Sequence, residues 1–445
     1  MIWRADLLAF SASNPFSQRT YMRPPIMSQR NRWSFALCLT GAQAFALTLL
    51  LVPPLPAAAN TIAPDVAGLQ SCLKRLGQSK AGRQIDRAKY RDLTQPLTPD
   101  PSVLEKLDYQ PEFVRPVWEY MAIVVDQERI DGGIAQQSTY AEVLSTIGER
   151  FGVRPEVVLA IWGVESDYGR NLGKRPLLQS LATLGCYGRR QKFFRSEFLA
   201  AIKIAANGDI PGPALTGSWA GAFGHTQFMP STFLRTAVDY DGDGRRDLMQ
   251  SVPDALASAA RYLQQAGWQP GKPWGMEVSA PSSLEAHDDS RTQRKNLEVW
   301  RKAGVKPLSA QDQHRLDSLP ATTRAALIRP AVTGGPTFLV FKNFDAIFAY
   351  NPSVKYALAI AHLSDRIAGG TAFNTPWPTE DKSLSRTQAK QLQTILLLRG
   401  HDIGGVDGII GPATRRAVRE EQRRLGMKPT GYADQTVLEA LQTSE

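Results

Sequence analysis

Helical periodicity is the feature of this sequence that most limits how the chain can fold. Apolar residues recur at helical spacing over 154–168, 199–206, 254–265 and 353–367, and loops rich in Gly, Pro and Asn separate these segments. Strand patterns are short, and the clearest of them covers 336–341. The sequence therefore predicts a mainly α fold with short β elements.

The length of the chain and one joint rich in Gly and Pro predict two folded domains. With 445 residues the chain exceeds a single typical core, and its 43% apolar and 21% charged residues are ordinary for a globular protein. Two glycines at 369–370 are followed by Pro376 and Pro378, which together mark a low-complexity joint. We expect a large α-rich domain over 60–368, a linker over 369–384 and a small domain over 385–445.

Residues 1–59 are typical of an N-terminal extension that ends in a secretory signal peptide. Arg30 and Arg32 precede an apolar run over 35–52, and three alanines that end at Ala59 suit cleavage after that residue. The alternative is an uncleaved anchor, because the eighteen residues of the run could just span a bilayer. The small residues favour cleavage, so we expect an exported protein without a stable membrane anchor.

Two cysteines, Cys72 and Cys186, remain in the chain after residue 59. In an exported protein two cysteines are paired more often than free, because the compartment is oxidising. We therefore expect a disulfide between them, which would tie the N-terminal segment to the rest of the large domain.

The charge of the chain favours an anionic polymer as its partner. The formal net charge is +10, and residues 60–445 retain 47 Lys and Arg against 41 Asp and Glu, a net charge of +6. Nucleic acid is a common partner of basic proteins, but export and the lack of zinc, helix-turn-helix or RNA-binding patterns argue against it. We expect no nucleic-acid partner.

One carboxylate, Glu165, lies within an apolar helical segment. Pro155 suits the first turn of this helix, and Gly169 suits the position just after its end. Trp162 lies about one turn before Glu165, and Tyr168 lies almost one turn after it. Apolar neighbours and the negative end of the helix dipole both disfavour an ionised carboxylate, so Glu165 is suited to donate a proton. The alternative is an ordinary salt bridge on a solvated helix face.

The motif around Glu165 and two later motifs carry a resemblance to a known family. Over about 65–368 the chain resembles the lytic murein transglycosylases of the membrane-bound lytic transglycosylase B group. The resemblance implies a lysozyme-like, α-rich catalytic domain with its acid/base at Glu165. The motifs are Gly163-Val164-Glu165 followed by Tyr168-Gly169, the segment 217–224 followed by Gln227-Phe228-Met229-Pro230, and Phe348-Ala349-Tyr350-Asn351 followed by Tyr356.

The same resemblance implies which residues line a sugar groove. Arg189 and Arg190 match a basic pair that contacts the peptide or acetyl side of the substrate, and Tyr120 is a further groove candidate. Each position also has an ordinary interpretation, since tyrosines are often core residues, arginine pairs are usually solvated, and Asn351 before Pro352 could only cap a helix. The other groove candidates are Ser218, Gln227, Tyr262, Tyr350, Asn351 and Tyr356.

By this resemblance the substrate is the glycan strand of peptidoglycan, cut during cell-wall remodelling or turnover. The reaction would cleave the β-1,4 bond between N-acetylmuramic acid and N-acetylglucosamine and leave a 1,6-anhydro end, with no cofactor. Asp167 is poorly placed as a second carboxylate, because a two-residue offset rotates it by about 200° around the helix. A hydrolytic muramidase with a second carboxylate from elsewhere, or a non-catalytic peptidoglycan-binding protein, are the alternatives. We expect a monomer in the periplasm, soluble or bound to the wall.

A short acidic segment predicts a calcium site. Asp239, Asp241 and Asp243, with Gly at the sixth position, match the opening of an EF-hand loop. The twelfth position is Gln250 instead of the usual Glu, although Asp254 could serve in a longer loop, and the family it resembles has an unusually long loop of this kind. We expect structural calcium with no part in the chemistry; the alternative is an acidic turn whose Asp side chains bond their own backbone.

The last sixty residues resemble the three-helix peptidoglycan-binding domain found on many wall enzymes. Glycines on both sides of Asp407 fit a tight turn, and Pro412 fits the start of the following helix. Gln422 and the pair Thr430-Gly431 follow in the order typical of that domain. The three helices are predicted over 385–399, 412–425 and 434–441.

Overall fold

The computed structural model describes residues 64–108, 116–284, 288–331, 334–378, 384, 386–406, 408 and 410–444. The expected signal segment 1–59 and Asp407 of the tail motif lie outside the described residues. Within the described residues, no helix has the length and apolar character needed to cross a membrane. The chain forms a body, residues 64–378, and a tail, residues 384–444, each with its own apolar core.

The body consists mainly of helices, so the mainly α prediction is confirmed. Several helices begin at polar caps: the side chains of Asp65, Asp126, Ser251 and Ser353 each accept a backbone N–H from the first turn. Each such cap stabilises its helix by about 1 kcal/mol. In the described part of the body the helices are α1 Val66–Gly77, α2 Arg87–Thr94, α3 Ser102–Glu105, α4 Val117–Val124, α5 Gln127–Thr139, α6 Ala141–Phe151, α7 Pro155–Ser166, α8 Leu177–Tyr187, α9 Gln191–Asn207, α10 Pro230–Thr236, α11 Val252–Gln265, α12 Leu297–Lys302, α13 Ala310–Asp317, α14 Lys342–Tyr350 and α15 Val354–Ile367.

Helix α7 lies at the centre of the body. Every residue from Val157 to Ser166 is buried, and α5, α6, α11 and α15 pack around the helix. A helix that is apolar on all sides is stable only inside a core. Pro155 begins α7, and Asp167, which has the left-handed backbone conformation, ends it. These four helices therefore surround the segment that carries Glu165.

A five-stranded antiparallel sheet packs one face on the helical core. Because successive residues of a strand point to opposite faces, Ile328 and Val340 join the main core, whereas the paired residues Leu327 and Leu339 join a smaller core with Trp300 of α12. The sequence pattern predicted only the strand near 336–341. In sheet order the strands are β4 (Lys295–Asn296), β6 (Arg324–Ile328), β7 (Thr337–Val340), β3 (Gly275–Ser279) and β5 (Lys306–Pro307), and a separate antiparallel pair joins β1 (Arg175–Pro176) to β2 (Thr216–Gly217).

A disulfide joins α1 to α8. Cys72 and Cys186 are bonded, with their Cα atoms 6.1 Å apart across a sequence separation of 114 residues. Closing a loop of this length removes conformational entropy from the unfolded chain and stabilises the fold by about 4–5 kcal/mol. The first helix is thereby held covalently against the body.

The first half of the expected linker packs on the body. We call residues 371–378 the strap. The buried carboxylate of Glu277 on β3 accepts the backbone N–H groups of Asn374 at 2.6 Å and Thr375 at 2.8 Å. The ring of Phe373 stacks on His362, with 3.8 Å between the ring centroids. A buried carboxylate is stable only with hydrogen-bond donors, and burial of an aromatic ring is favourable. These two interactions hold the strap on the sheet, although its composition is typical of a flexible linker.

The tail folds around a small core of its own. Leu392, Val418 and Leu438, one from each helix, are almost completely buried. The side-chain oxygens of Gln393 and Gln422 accept the backbone N–H groups of Gly408 and Gly431, which holds the two turns in place. The motif residues of the tail therefore shape its fold. Its helices are α16 Arg386–Leu398, α17 Pro412–Arg424 and α18 Gln435–Thr443.

Candidate active site

Glu165 lies in the last turn of α7, and only 4% of its surface is exposed. The hydroxyl of Tyr356 donates a hydrogen bond to Oε1 of Glu165 at 2.7 Å. Tyr356 lies in the first turn of α15, which packs along α7, and it is buried as well. The structure thus brings together two residues that the sequence analysis assigned to one site, although 191 residues separate them.

Burial and the hydrogen bond from Tyr356 act in opposite directions on the Glu165 carboxyl group. Removal from water disfavours its ionised form, whereas the hydrogen bond from Tyr356 stabilises that form. Burial, and then the negative charge of Glu165, raises the pKa of Tyr356 well above its usual value. Tyr356 therefore keeps its proton and donates it in the hydrogen bond to Glu165. A carboxyl group in this setting can hold a proton and can also remain stable after losing it.

His225 anchors the end of α7, a role that the sequence analysis missed. Trp162 donates its Nε1–H to Nδ1 of His225 at 3.0 Å, and the Ser166 hydroxyl donates to the backbone carbonyl of His225 at 2.6 Å. Burial is the main cause that lowers the pKa of His225 to about 4, so the ring is neutral at pH 7 and Nδ1 can accept. The helix carrying Glu165 is therefore joined to the loop that contains residues 217–230.

The turn after α7 directs the neighbouring carboxylate away from Glu165. Asp167 and Tyr168 both have left-handed backbone conformations, with φ of 54° and 55°. Asp167 is bound by both Nε and the guanidinium Nη2 of Arg170 at 2.9 Å, while the Tyr168 hydroxyl donates to the carbonyl of Arg129. Asp167 is thus engaged in an ion pair with Arg170, and the left-handed turn after Ser166, instead of an offset along the helix, determines its position.

The loop 217–230 is held by its own side chains. Gln227 is buried, has φ of 46°, and donates through Nε2 to the carbonyls of Leu172 at 3.2 Å and Gly224 at 2.9 Å. Ser218 is half-buried, and its hydroxyl oxygen accepts the N–H of Ala222 at 3.0 Å. Both predicted groove residues therefore support the loop, and their contact with sugar stays a prediction.

Three of the predicted tyrosines form one aromatic group beside this loop. Tyr350 is fully buried, stacks on Tyr356 with ring centroids 6.4 Å apart, and donates to the carbonyl of Thr226 at 2.6 Å. Tyr262 packs edge-on against Tyr350 and donates to the carbonyl of Ala349 at 2.6 Å. Tyr350 is thus part of the wall behind Glu165, whereas Tyr262 is half-buried at its edge.

The remaining groove candidates occupy different surroundings. Tyr120 on α4 is half-buried and close enough to Tyr356 to raise the pKa of that phenol, although its effect is smaller than that of burial. Asn351 is half-buried and forms the C-cap of α14, which agrees with the alternative of a helix cap. Arg189 and Arg190 are exposed between α8 and α9, where Arg189 donates to the carbonyl of Leu107 at 2.6 Å.

Three of the four predicted calcium ligands lie together. One carboxylate oxygen each of Asp239, Asp241 and Asp254 falls within 4.8 Å of the other two. Asp254 is buried in α11, and its oxygens also accept two backbone N–H groups of the loop, both at 2.8 Å. Burial is the main cause that raises the pKa of Asp254. Asp243 lies outside this group of three and accepts the N–H of Arg245 at 2.8 Å.

Comparison with known proteins identifies the class to which this fold and site belong. The Transglycosylase SLT domain family matches residues 68–365, and the chain belongs to this family. A peptidoglycan binding domain matches residues 385–441. The chain is therefore a lytic transglycosylase with a peptidoglycan-binding tail, and the predicted family, lysozyme-like fold and activity on peptidoglycan are confirmed.

Particular relatives are similar over most of their length. Membrane-bound lytic murein transglycosylase B from Escherichia coli K12 is 30% identical over 295 residues, which cover 64% of this chain and 79% of that protein. SltB3 from Pseudomonas aeruginosa, solved in complexes with NAG-anhNAM-pentapeptide and with NAG-NAM-pentapeptide, is 41% identical, with a TM-score of 0.77 over 84% of this chain and 99% of that one. The Escherichia coli lytic transglycosylase Slt35 in complex with calcium is 28% identical, with a TM-score of 0.57 over 68% and 92%.

Replacing His225 by Gln is expected to weaken the pH dependence of stability. Neutral His225 contributes stability that is fully present above about pH 6.5 and is lost as the pH falls towards 4, because the unfolded chain then binds a proton that the folded ring does not. The contribution amounts to up to about 3 kcal/mol. Urea unfolding gives the free energy of unfolding of both proteins between about pH 4.5 and 7.5 and so measures this contribution.

His314 offers the matched control, because it is an exposed histidine on α13. The His314→Gln variant is expected to follow the wild-type pH dependence. If His225→Gln follows it too, the buried neutral histidine makes no difference to acid stability.

Proposed function

We propose that Glu165 is the single acid and base of this lytic transglycosylase. The observation that carries the proposal is a buried carboxyl group which accepts a hydrogen bond from Tyr356, while the adjacent Asp167 is paired with Arg170. The substrate is the β-1,4 bond between N-acetylmuramic acid and N-acetylglucosamine. The SltB3 complexes, which hold a muramyl-pentapeptide ligand and its anhydro form, support this substrate and this product.

In the first step, protonated Glu165 donates its proton to the glycosidic oxygen. The bond between that oxygen and C1 of the muramyl ring breaks, N-acetylglucosamine leaves with a free 4-hydroxyl, and positive charge develops at C1. Tyr356 donates its hydrogen bond to the carboxylate that forms. This bond stabilises the negative charge that develops on Glu165 in the transition state. The acetamido group of the sugar, or dipoles from Ser218 and Asn351, stabilise the charge at C1.

In the second step, the Glu165 carboxylate takes the proton of the muramyl C6 hydroxyl. The C6 oxygen attacks C1 and closes the 1,6-anhydro ring, which returns Glu165 to its protonated form. No water is consumed, so every atom of the substrate appears in the two products. Because the attacking oxygen belongs to the same sugar, the attack is effectively unimolecular and needs no second carboxylate to position a water.

Some of the residues around Glu165 form the wall of the groove, and others contact the sugars. Gln227 and Tyr350, which are buried and bonded to backbone carbonyls, hold the loop and the wall of the groove. The half-buried groove candidates, which retain accessible surface, contact the sugars. Arg189 and Arg190 lie on the exposed surface and face the acidic peptide side of the substrate. The contacting residues are Tyr120, Ser218, Tyr262 and Asn351.

The place of action follows from the substrate. Peptidoglycan lies outside the cytoplasm, which supports the interpretation of residues 1–59 as an extension and signal peptide cleaved after Ala59. The mature protein then acts as a monomer in the periplasm, without a membrane anchor, and the tail holds it on the wall. The chain is organised as a catalytic domain over 60–368, a linker over 369–384 and a binding domain over 385–445.

Glu165→Gln is expected to abolish the release of anhydromuramyl products, with a loss of at least about a hundredfold, because the amide cannot donate or accept the transferred proton. Mass spectrometry of muropeptides released from purified sacculi measures this. Asp167→Asn is the matched control, since its carboxylate lies two residues away and is expected to be dispensable.

The masses also separate the alternative activities. Products with reducing ends, about 18 Da heavier than the anhydro forms, would identify a hydrolase with a second carboxylate. If the wild-type protein releases no muropeptides, the protein binds peptidoglycan without cutting it.

The acidic loop fits a structural calcium ion. Asp239, Asp241 and Asp254 supply hard oxygen ligands close together, and the Slt35 complex shows that a relative binds this metal. When bound, the ion would neutralise three neighbouring carboxyl groups and hold the loop to α11. No cofactor takes part in the chemistry.

Calcium at about 100 times its Kd is expected to raise the Tm of the wild-type chain by about 5 °C and to leave Asp239→Asn/Asp241→Asn unchanged. Asp243→Asn is the control, because Asp243 lies outside the group of three ligands. Calorimetry with calcium and with a chelator provides the measurement. An equal rise in the double variant would show that calcium binds elsewhere.

Deletion of the chain from Lys382 onward is expected to lower activity on intact sacculi by about tenfold and to spare activity on soluble fragments. Binding to a solid polymer raises the local concentration of substrate without changing the chemistry at Glu165. The body has its own apolar core, separate from that of the tail. Rates on both substrates measure the effect, and equal losses would contradict the tethering role.

A further inference from the structure

A groove of about 1270 Å³ lies between α1 and α2. None of the residues that line it belongs to the candidate active site. Its only acidic residue, Asp86, caps α2 by accepting the N–H of Lys89 at 2.9 Å. The basic residues that line it, all exposed, are Lys74, Arg83, Arg87 and Arg91, of which Arg91 pairs with Asp92 at 3.2 Å.

The segment that forms this groove is strongly basic, and four of its cations line the groove itself. Residues 66–91 contain seven Lys and Arg and one Asp, a net charge of +6. The whole of residues 60–445 also carries +6, so the rest of that chain is balanced. The positive charge of residues 60–445 is therefore concentrated in the segment that forms the groove. Neighbouring cations repel each other, and an anionic ligand in the groove relieves that repulsion.

The groove is preformed. The Tyr90 hydroxyl donates to the carbonyl of Leu73 at 2.7 Å, which joins α2 to α1. Gly77 lies against the Tyr90 ring so closely that a Cβ there would be 2.7 Å from a ring carbon. Nε of Arg83 donates to the carbonyl of Gln78 at 2.7 Å, and the disulfide at Cys72 fixes α1 to the body. A rigid site loses little entropy when a ligand binds.

The chemistry of the groove fits an acidic peptide. Leu73, Ile85 and Tyr90 are buried apolar residues beneath the exposed cationic groups. We infer that the groove binds the acidic stem peptides of peptidoglycan, whose carboxylates pair with the basic rim while the peptide chain lies over the apolar floor. This inference rests on peptidoglycan being the substrate under the proposed function. It adds a second contact with the wall, separate from the cleft at Glu165 and from the tail.

The test compares strands with and without stem peptides. The full chain carries Glu165→Gln so that no strand is cut, and its affinity is measured for uncross-linked peptidoglycan strands before and after an amidase removes the peptides. Lys74→Glu/Arg87→Glu is expected to weaken binding of peptide-bearing strands about fivefold to tenfold and to leave amidase-treated strands unaffected. The salt dependence of the first affinity should also become shallower.

Lys272→Glu/Lys306→Glu is the matched control, since both lysines are exposed, lie outside the groove and give the same change in charge. It is expected to bind both strands as the parent does. An equal loss in the control pair would mean that only net charge matters, and an equal loss on amidase-treated strands would mean that the groove does not recognise peptide. Either result overturns the inference, as does unchanged binding by Lys74→Glu/Arg87→Glu.

Two further measurements address the folding of the groove variant and binding to a lipid surface. Circular dichroism and Tm establish that the groove variant is folded. Vesicles with phosphatidylglycerol address a lipid surface: loss of vesicle binding in Lys74→Glu/Arg87→Glu, with strand affinity intact, would overturn the inference. Failure of the proposed reaction appears separately, as missing anhydro products from the wild-type chain, because the binding assay does not depend on turnover.

Discussion

The hydrogen bond from Tyr356 to Glu165 joins two largely buried helices of the body, and the rest of the site is arranged around it. A carboxyl group inside an apolar helix would be costly if it lacked a partner. The phenol supplies a donor without adding charge, since its own pKa is raised by burial. The core can therefore contain a carboxyl group that is able to change its protonation state. A salt bridge at the same place would keep that group ionised.

Neutral groups also make the bonds that join the end of α7 to the loop 217–230. His225 is uncharged because it is buried, and it receives the indole N–H of Trp162, while its backbone carbonyl receives the Ser166 hydroxyl. These bonds fix the last turn of α7 to the loop 217–230 without placing a charge beside Glu165. In a medium of low polarity each fixed charge would strongly bias the acid. These neutral bonds hold the helix in position, while Tyr356 donates directly to the carboxyl group of Glu165.

Much of the fold was visible in the sequence because its signals are local. Pro155 and the apolar run define α7, and the residues rich in Gly and Pro after 368 indicate that a second folded unit follows. Signals that depend on distant partners were missed: β4 and β5 have two residues each, too few for an alternating pattern, and His225 meets Trp162 across 63 residues. Phe373 in the strap likewise shows its role only beside His362. The resemblance, instead of periodicity, indicated Tyr356.

The strap also determines the reach of the tail. Because Glu277 and Phe373 hold this segment on the sheet and Leu384 is buried in the core of the tail, the connection is counted from Pro378 to Leu384 and not from the end of α15. Six residue steps span at most about 22 Å. A tail bound to the wall thus confines the cleft to a small neighbourhood, and each anchoring event exposes only nearby bonds to Glu165. To reach more distant strands the tail must dissociate and bind again. The lifetime of the tail on the wall therefore determines the distance over which the enzyme cleaves bonds.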